Sequence, residues 1–168
     1  MNTNRHIIHP FQPIINNKCK IIILGSVPSI KTVDGGFPYA NPQNRFWNIL
    51  GEFCKVDFWS LSIEQKKCTL TNNFIALYDA VQECDIFASS DSSVKNIIAT
   101  NIDKLIEGTN IKKILCNGTL SYKTVISNNQ LLGIKCIKLP STSPANATIN
   151  YIKLKEIWLQ ELAKIYDD

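Results

Sequence analysis

Ile21-Ile22-Ile23-Leu24 is a purely apolar run in the first half of the chain, and Gly25-Ser26 follows it directly. A short run that is apolar at every position is typical of a β-strand covered on both faces. The run therefore predicts a buried strand over residues 19–25. Three further apolar segments predict strands over residues 74–78, 111–116 and 134–139.

Apolar residues at helical spacing separate and follow these strands. Helices are predicted after Asn44, after Ser92 with its end at Gly108, over residues 119–127, and from about Thr148 onward. The supporting positions are Phe46, Ile49, Leu50, Phe53 and Cys54 in the first helix, Val94, Ile97, Ile98, Ile102, Leu105 and Ile106 in the second, and Tyr151, Leu154, Trp158, Leu162 and Ile165 in the last.

The alternation of strands and helices predicts a single α/β domain over residues 1–168. Strand–helix–strand units build a mostly parallel sheet with helices on both faces. In such sheets the ligand site lies beyond the carboxyl ends of the strands. Three segments follow predicted strands, at residues 25–44, 117–119 and 140–146, and chemistry is expected there.

Composition and charge narrow the class of protein. Hydrophobic residues make up 45% of the chain and charged residues 19%, which is ordinary for a folded domain and excludes general disorder. No apolar run is long enough for a membrane helix and no secretory signal is visible, so we expect an intracellular protein. The net charge of +4 comes almost wholly from lysine, and the sequence pI near 8.7 does not by itself indicate a nucleic-acid binder.

The cysteines and histidines show no metal-binding pattern. The six cysteines are scattered without any Cys-x-x-Cys pair, and His6 and His9 have no cysteine or carboxylate at ligand spacing. We therefore expect reduced thiols, no metal site and no cofactor.

The segment after the first predicted strand is the richest in unusual residues. It contains Gly25-Ser26-Val27-Pro28-Ser29 and then Gly35-Gly36-Phe37-Pro38-Tyr39-Ala40-Asn41-Pro42-Gln43-Asn44-Arg45-Phe46-Trp47. Neither the phosphate-binding Gly-Lys-Ser/Thr loop nor the dinucleotide Gly-x-Gly-x-x-Gly pattern is present. A nucleotide hydrolase or a dehydrogenase is therefore unsupported.

This segment resembles the first motif region of the uracil-DNA glycosylase superfamily. The part from Gly36 to Trp47 is similar to the mismatch-specific uracil/thymine glycosylases. Other strings resemble the hypoxanthine-DNA (deoxyinosine) glycosylase branch, and they occur in the same order along the chain. They are Gly25-Ser26-Val27-Pro28-Ser29, His9-Pro10-Phe11-Gln12-Pro13, Ile75-Ala76-Leu77-Tyr78-Asp79-Ala80-Val81, Ser90-Asp91-Ser92 and Leu139-Pro140-Ser141-Thr142-Ser143-Pro144-Ala145-Asn146-Ala147.

The resemblance implies a fold and a reaction. The fold is a three-layer α/β/α sandwich around a four-stranded, mostly parallel sheet. The reaction is hydrolysis of the N-glycosidic bond of a damaged base flipped out of DNA, by a monofunctional enzyme that needs no cofactor. We expect a monomer whose partner is DNA containing a damaged or mismatched base.

Two positions depart from the uracil-specific relatives. Val27 stands where those relatives carry an Asp or Asn that positions water, and valine has no hydrogen-bonding group. Ser141 stands where many of them carry a His or Asn at the start of the late motif. Both departures argue against efficient uracil excision, and the hypoxanthine branch resembles this chain in lacking the first-motif carboxylate.

The resemblance also implies roles for particular residues. Asn44 is the expected catalytic residue, which holds the water or the base, although its position before a helix is equally that of an N-cap. The expected base-binding residues are Tyr39, as a stacking ring, with Ser26, Asn41 and Asn117. The expected DNA-binding residues are Ser141, Thr142, Ser143 and Asn146, in the loop after the last strand.

We therefore expect a DNA repair glycosylase acting on deoxyinosine. Three other interpretations stay open at this point. They are a uracil or mismatch glycosylase that uses Asn44, a lesion-binding module without hydrolysis because of Val27, and an unrelated small-molecule enzyme on the same kind of sheet.

Overall fold

The structure is a computed structural model, and it describes residues 4–87 and 93–167. The Ser90-Asp91-Ser92 motif lies outside the described residues. In chain order the elements are β1 Arg5–Ile8, β2 Ile21–Gly25, α1 Ile30–Gly35, α2 Phe46–Cys54, α3 Ile63–Asn72, β3 Ile75–Asp79, β4 Val81–Ile86, β5 Val94–Ala99, α4 Ile102–Leu105, β6 Lys113–Asn117, α5 Thr119–Asn128, β7 Lys135–Leu139 and α6 Tyr151–Ala163.

A four-stranded parallel sheet in the order β3-β2-β6-β7 forms the centre of the molecule. These are the four strands that the apolar segments predict, with ends displaced by one or two residues. The predicted α/β class and the four-stranded central sheet are confirmed.

Alternating side chains of β2 fill two cores, one on each face of this sheet. Ile21 and Ile23 point to the core that α2, α3 and α6 cover, while Ile22 and Leu24 point to the core that α4 and α5 cover. All four side chains are buried. The uninterrupted apolar run is thus the consequence of helices on both faces, which gives the three layers.

The helix predicted after Ser92 is wrong over most of its length. Val94–Ala99 is instead a strand, β5, which pairs antiparallel with β4, and only Ile102–Leu105 is helical. Valine and isoleucine favour strands because branching at Cβ restricts their rotamers in a helix. Their spacing of three and four along residues 94–106 therefore spans two different elements. Gly108 has a left-handed φ of 76°, in the turn after α4.

A second sheet, which the sequence patterns did not predict, flanks the central one. Its strands β1, β4 and β5 are antiparallel, with β4 in the middle. The turn after β2 is tied to it, because the carbonyl groups of Gly25 and Ser26 accept hydrogen bonds from the N–H groups of Ala80 and Val81. This sheet therefore fixes the backbone beside the carboxyl end of β2.

The helices predicted after Asn44, over residues 119–127 and from about Thr148 are present as α2, α5 and α6. Trp158 of α6 is fully buried and packs edge-on against Phe46 of α2. No helix in the described ranges is both long enough and apolar enough to span a membrane.

Candidate active site

A small cavity lies at the carboxyl ends of the four parallel strands. Its volume is about 120 Å³, which is smaller than the roughly 300–1,000 Å³ that drug-sized ligands occupy. Residues at the ends of these strands, or in the loops that follow them, line the cavity, and the loop before α2 closes one side. The lining residues are Gly25, Ser26, Val27, Pro28, Ser29, Thr32, Pro38, Tyr39, Asn44, Asp79, Asn117, Ser141, Thr142 and Ser143.

Gly25, at the end of β2, lies directly beneath two polar groups and has no side chain to hold them apart. A Cβ atom at this position would lie 2.2 Å from Oδ1 of Asp79 and 2.7 Å from the hydroxyl of Tyr39, both impossibly close. The absence of a side chain at Gly25 therefore allows a carboxylate and a phenol to meet over the end of β2.

Asp79 is held in place by the buried imidazole of His9. Nε2 of His9 lies 2.7 Å from Oδ2 of Asp79, and the His9 side chain is only 1% exposed. On its other side, Nδ1 of His9 meets the backbone of Phe11, and its ring packs on Tyr78 at 4.4 Å between centroids. Burial raises the pKa of the Tyr78 phenol, and the negative charge of Asp79 raises it further.

His9 takes Oδ2 of the carboxylate, and Oδ1 of Asp79 lies beside the Tyr39 hydroxyl over Gly25, where Asp79 lines the cavity. A carboxylate oxygen can accept more than one hydrogen bond, so this neighbour does not prevent Oδ1 from accepting one from a bound base. The cavity thus contains one fixed hydrogen-bond acceptor that carries negative charge.

A chain of hydrogen bonds crosses the cavity wall from Tyr39 to Asn44. Asn117 donates through Nδ2 to the hydroxyl groups of Tyr39, at 3.2 Å, and of Thr142, at 2.9 Å. Its Oδ1 accepts from the backbone N–H of Thr142. The Thr142 hydroxyl in turn donates to Oδ1 of Asn44 at 2.8 Å. Asn117 and Thr142 are buried, and their polar atoms are engaged within the protein.

This chain fixes which end of the Asn44 amide faces the cavity. Oδ1 of Asn44 accepts from the Thr142 hydroxyl and from the backbone N–H of Phe46, at 2.9 Å. Asn44 thus caps the start of α2 only in part: its Oδ1 accepts the N–H of Phe46, but the N-cap position itself is Arg45, one residue later. Nδ2 has no hydrogen-bond partner in the described part of the chain. Asn44 therefore offers the cavity a donor, not an acceptor.

Tyr39 lines the cavity with its ring supported from behind. One ring face stacks on Phe46 at 3.9 Å between centroids and 18° between planes, and Trp47 meets it edge-on. Tyr39 has a left-handed φ of 55°, which is unusual for a residue with a Cβ atom. The indole N–H of Trp47 donates to the carbonyl of Pro38 and holds the loop at this turn.

Arg45 organises the loop after β7. Its guanidinium donates to five backbone carbonyl groups at 2.8–3.4 Å, those of Ser141, Thr142, Ser143, Ile149 and Asn146. Arginine suits this task because its planar head carries five N–H donors in a fixed arrangement. Arg45 follows Asn44 directly, so the two loops that meet at the cavity are joined at one point.

We expect Arg45→Lys to lower the stability of the protein by about 2–4 kcal/mol, because each hydrogen bond from a charged donor contributes about 1.5–3 kcal/mol and water replaces some of them. A lysine has only three donors on one nitrogen and cannot reach five carbonyl groups. For a chain of this length the melting temperature should fall by about 5–15 °C. Thermal denaturation measures this, and Arg5→Lys, at the other arginine of the chain, is the matched control. Equal melting temperatures for the two variants would contradict the role given to Arg45.

The remaining predicted site residues divide into two groups. Ser26, Ser141 and Ser143 line the cavity beside Val27, which also packs on the small core between β1 and β4. Asn41 and Asn146 do not line it. Oδ1 of Asn41 accepts from the N–H of Gln43, and Asn146 donates to the carbonyl of Ser141 within its own loop. Both side chains therefore shape turns.

The sequence patterns missed three residues that the structure places at or beside the cavity: His9, Asp79 and Arg45. Asp79 ends β3, so the rule that ligands bind at the carboxyl ends of strands could have found it. His9 and Arg45 gave no such signal, because their partners lie 70 and about 100 positions away along the chain.

Neither a metal cluster nor the widest depression found in the described ranges competes with this site. No three His, Cys, Asp or Glu side chains in the described ranges are close enough together to hold a metal ion. A wider depression of about 790 Å³ lies beside the amino ends of β6 and β7. Its carboxylate, Asp103, already accepts from the N–H groups of Gln130 and Leu131. The small polar cavity is therefore the better candidate.

The fold closely matches a solved DNA glycosylase-like structure. The solution NMR structure of a Methanosarcina acetivorans protein, provisionally assigned as a uracil DNA glycosylase, superposes with a TM-score of 0.78 at 25% identity, covering 92% of this chain and 96% of that one. This fold match and the match to a family model together identify the class as an α/β DNA N-glycosylase.

The chain belongs to the uracil DNA glycosylase superfamily, whose family model matches residues 12–163. It is also similar to the hypoxanthine DNA glycosylases of Methanosarcina acetivorans and Methanosarcina barkeri. Each is 28% identical over 139 residues, which are 81% of this chain and 86% of the relative. The expected class, a base-excision DNA glycosylase, is confirmed.

Proposed function

We propose that this glycosylase removes hypoxanthine from deoxyinosine in DNA by monofunctional hydrolysis. The observation that carries the proposal is the pairing of one acceptor and one donor on the cavity wall. Oδ1 of Asp79 is the acceptor, and Nδ2 of Asn44 is the donor. The choice of hypoxanthine as the substrate depends on this pair, and the other features of the site only add support.

An acceptor beside a donor matches the edge that deamination creates in a base. Adenine presents an amino group next to an unprotonated ring nitrogen, whereas hypoxanthine presents an oxo group next to a ring N–H. The carboxylate of Asp79 can accept from that N–H, and the amide of Asn44 can donate to the oxo group. Adenine in the same position would place its amino group against the donor of Asn44 and its unprotonated nitrogen against the carboxylate of Asp79. Both contacts are mismatched, and such contacts are costly in a closed cavity. Guanine has the hypoxanthine edge with an added amino group, so its exclusion rests on the small size of the cavity.

Uracil shows the same pattern of an oxo group beside a ring N–H, so a uracil or mismatch glycosylase is the second candidate. Two observations favour hypoxanthine. Val27 brings only methyl groups to the cavity where uracil-specific relatives place an amide or carboxylate. The two Methanosarcina relatives that are 28% identical to this chain are named for hypoxanthine.

We assign the donor of Asn44 to the departing base. Cleavage of the glycosidic bond places negative charge on the base, and a donor fixed in advance stabilises that charge without reorganising. The network through Thr142 and Asn117 holds the amide in this orientation. Tyr39, supported by Phe46, offers the flipped base a stacking surface. No lysine whose side chain the structure describes lines the cavity, which agrees with hydrolysis without a Schiff base.

The loop after β7 supplies the proposed contacts to the DNA backbone. Ser141 and Ser143 are partly exposed and line the cavity, whereas Thr142 is buried and supports them from within. Asn146 shapes the loop and lies beside its surface. We propose that the protein works as a monomer inside the cell, where its DNA substrate lies.

An excision assay tests the proposed substrate. Duplex and single-stranded oligonucleotides with one hypoxanthine, uracil, xanthine or mismatched thymine are incubated with excess enzyme, and abasic sites are then cleaved with alkali. We expect hypoxanthine to be released fastest and undamaged adenine not at all. Faster release of uracil than of hypoxanthine would support the second candidate. Binding to lesions without any cleavage would show a lesion-binding module.

A further inference from the structure

The proposed reaction gives no part to one buried titratable residue beside the cavity, His9. Its side chain is only 1% exposed. Its backbone is fixed by the flanking sheet, because its N–H donates to the carbonyl of Gln82 in β4. Each ring nitrogen has a polar neighbour: Nε2 meets the carboxylate of Asp79, and Nδ1 meets the backbone of Phe11. A side chain this enclosed can affect the reaction only through the groups that it contacts.

The backbone of Phe11 can satisfy Nδ1 of His9 whether or not that nitrogen carries a proton. Its N–H lies 3.2 Å from Nδ1 and donates to the unprotonated nitrogen, while its carbonyl oxygen lies 3.0 Å away and accepts from the protonated one. Neutral His9 with an unprotonated Nδ1 carries its proton on Nε2, and charged His9 carries a proton on both nitrogens. In both of these states Nε2 donates to Oδ2 of Asp79, at 2.7 Å.

The remaining tautomer of His9 does not fit a charged Asp79, because neither Nε2 nor the carboxylate oxygen would then have a proton to donate. The Asp79 side chain is only 14% exposed, so its charge needs donors within the protein. The other titratable groups around this pair are the phenols of Tyr78, against the His9 ring, and Tyr39, above Gly25. No lysine or arginine side chain that the structure describes forms an ion pair with Asp79.

We propose that His9 is a positioning residue for base recognition, which keeps Asp79 charged and holds its Oδ1 toward the cavity. A donor to the charged form of a carboxyl group favours that form. A charged Asp79 offers the base only an acceptor, whereas a neutral carboxyl group could present an O–H donor. His9 thereby determines that the site accepts a ring N–H and rejects an unprotonated ring nitrogen. This inference rests on the proposed function, in which Asp79 accepts from the base.

Two substitutions separate the donor of His9 from its bulk. Glutamine reaches about as far as Nε2 and keeps an N–H for Asp79, whereas methionine has nearly the same length and no donor. Both variants lose the contact between Nδ1 and Phe11, so the difference between them isolates the donor. Single-turnover excision of hypoxanthine and of uracil is followed from acid to mildly alkaline pH. Both bases present a ring N–H, so the result does not depend on which one is preferred.

The expected change is in the acid limb of the pH profile. Excision requires the charged carboxylate, so it falls with falling pH as Asp79 becomes protonated. Without the donor at position 9 the charged form is less stable and is lost at a higher pH. We expect His9→Met to move the acid limb upward by about one pH unit or more, because a hydrogen bond to a charged group changes that equilibrium by about tenfold or more. His9→Gln should keep the limb near its position in the parent.

His6→Met is the matched control. His6 contacts Asp85 at 2.9 Å, much as His9 contacts Asp79, but on an exposed part of the flanking sheet. This variant should leave the acid limb unchanged. Melting temperatures measured across the same pH range show that each variant is folded. Equal losses of excision in His9→Met and His9→Gln, with the limb of the parent retained, would make His9 a packing residue and overturn the proposal.

Nitrogen NMR of the free protein locates the proton without any substrate. The chain has two histidines, so the spectrum of His6→Gln identifies the signals of His9. We expect Nε2 of His9 to carry a proton throughout the pH range in which the protein is folded. A spectrum with Nε2 unprotonated and Nδ1 protonated at neutral pH would overturn the proposal. A protein that released no damaged base would contradict the proposed function and leave this spectrum unchanged, so the two failures are distinguishable.

Discussion

Asn44→Ala is expected to lower single-turnover excision of hypoxanthine by about 10²-fold or more, because a fixed donor to a developing anion contributes at least that much to the rate. The variant should still fold. Loss of the helix cap costs about 1 kcal/mol, and the buried Thr142 hydroxyl loses its acceptor at a cost of about 1–3 kcal/mol. A domain of ordinary stability, about 5–15 kcal/mol, tolerates both losses.

Asn44→Asp distinguishes the role of the amide oxygen from the role of the amide nitrogen. Aspartate keeps an oxygen for the N–H of Phe46 and for the hydroxyl of Thr142, so the cap and the buried network survive. It replaces the donor at Nδ2 with an acceptor that carries charge. If the donor is the working group, Asn44→Asp loses as much excision as Asn44→Ala while melting near the parent temperature.

The opposite result has an equally definite meaning. An Asn44→Asp protein that excises at the parent rate would show that the oxygen, and not the nitrogen, serves the reaction. Asn44→Ala at the parent rate would leave Asn44 only as a helix cap. Melting temperature reports the cap, and single-turnover rate at saturating enzyme reports the chemistry, so the two effects are measured independently.

The central sheet could be predicted from sequence because its strands are buried on both faces. Ile21, Ile23, Ile22 and Leu24 must all be apolar when helices cover both sides, and that local signal needs no knowledge of neighbours. The flanking sheet gave no such signal. β5 has exposed residues at four of its six positions, and β4 has register shifts along its pairing. Neither strand alternates regularly, and the spacing of isoleucines in β5 imitates a helix.

A residue's place at the cavity was predictable wherever it follows from the loop or strand end that carries the residue. Tyr39, Asn44, Asn117 and Ser141 lie around the cavity because strand ends meet at one edge of a parallel sheet. The roles within that group were not predictable. Asn117 and Thr142 are polar residues in loops or at a strand end, yet contacts from distant segments bury them and use their hydrogen bonds within the wall. Only the folded arrangement of β6 and the loop after β7 shows this.

The pairing of His9 with Asp79 is the clearest example of a long-range feature. The two residues are 70 positions apart, and the sequence places His9 in an N-terminal segment with no regular periodicity. The structure brings this segment against the end of β3 and leaves one carboxylate oxygen for the cavity. An acidic residue at a strand end thus acquires a fixed orientation from a residue that sequence patterns leave unexplained.

Asp79→Asn is expected to lower excision of both hypoxanthine and uracil by about 10²-fold or more, because a site built to bond a group loses strongly when its partner is mismatched. The change preserves size. His9 can donate to the amide oxygen of an asparagine here, which turns the amide nitrogen toward the cavity. The acceptor for the ring N–H of a deaminated base then becomes a donor, which repels that N–H and suits adenine instead.

Asp34→Asn is the matched control, since Asp34 is an exposed carboxylate in α1 and does not line the cavity. It should excise at the parent rate. Single-turnover rates for the parent and the two variants, with melting temperatures, give the comparison. A folded Asp79→Asn protein that releases hypoxanthine as fast as the parent would remove the carboxylate from base recognition. The acceptor would then have to come from a hydroxyl group that lines the cavity, such as that of Ser26.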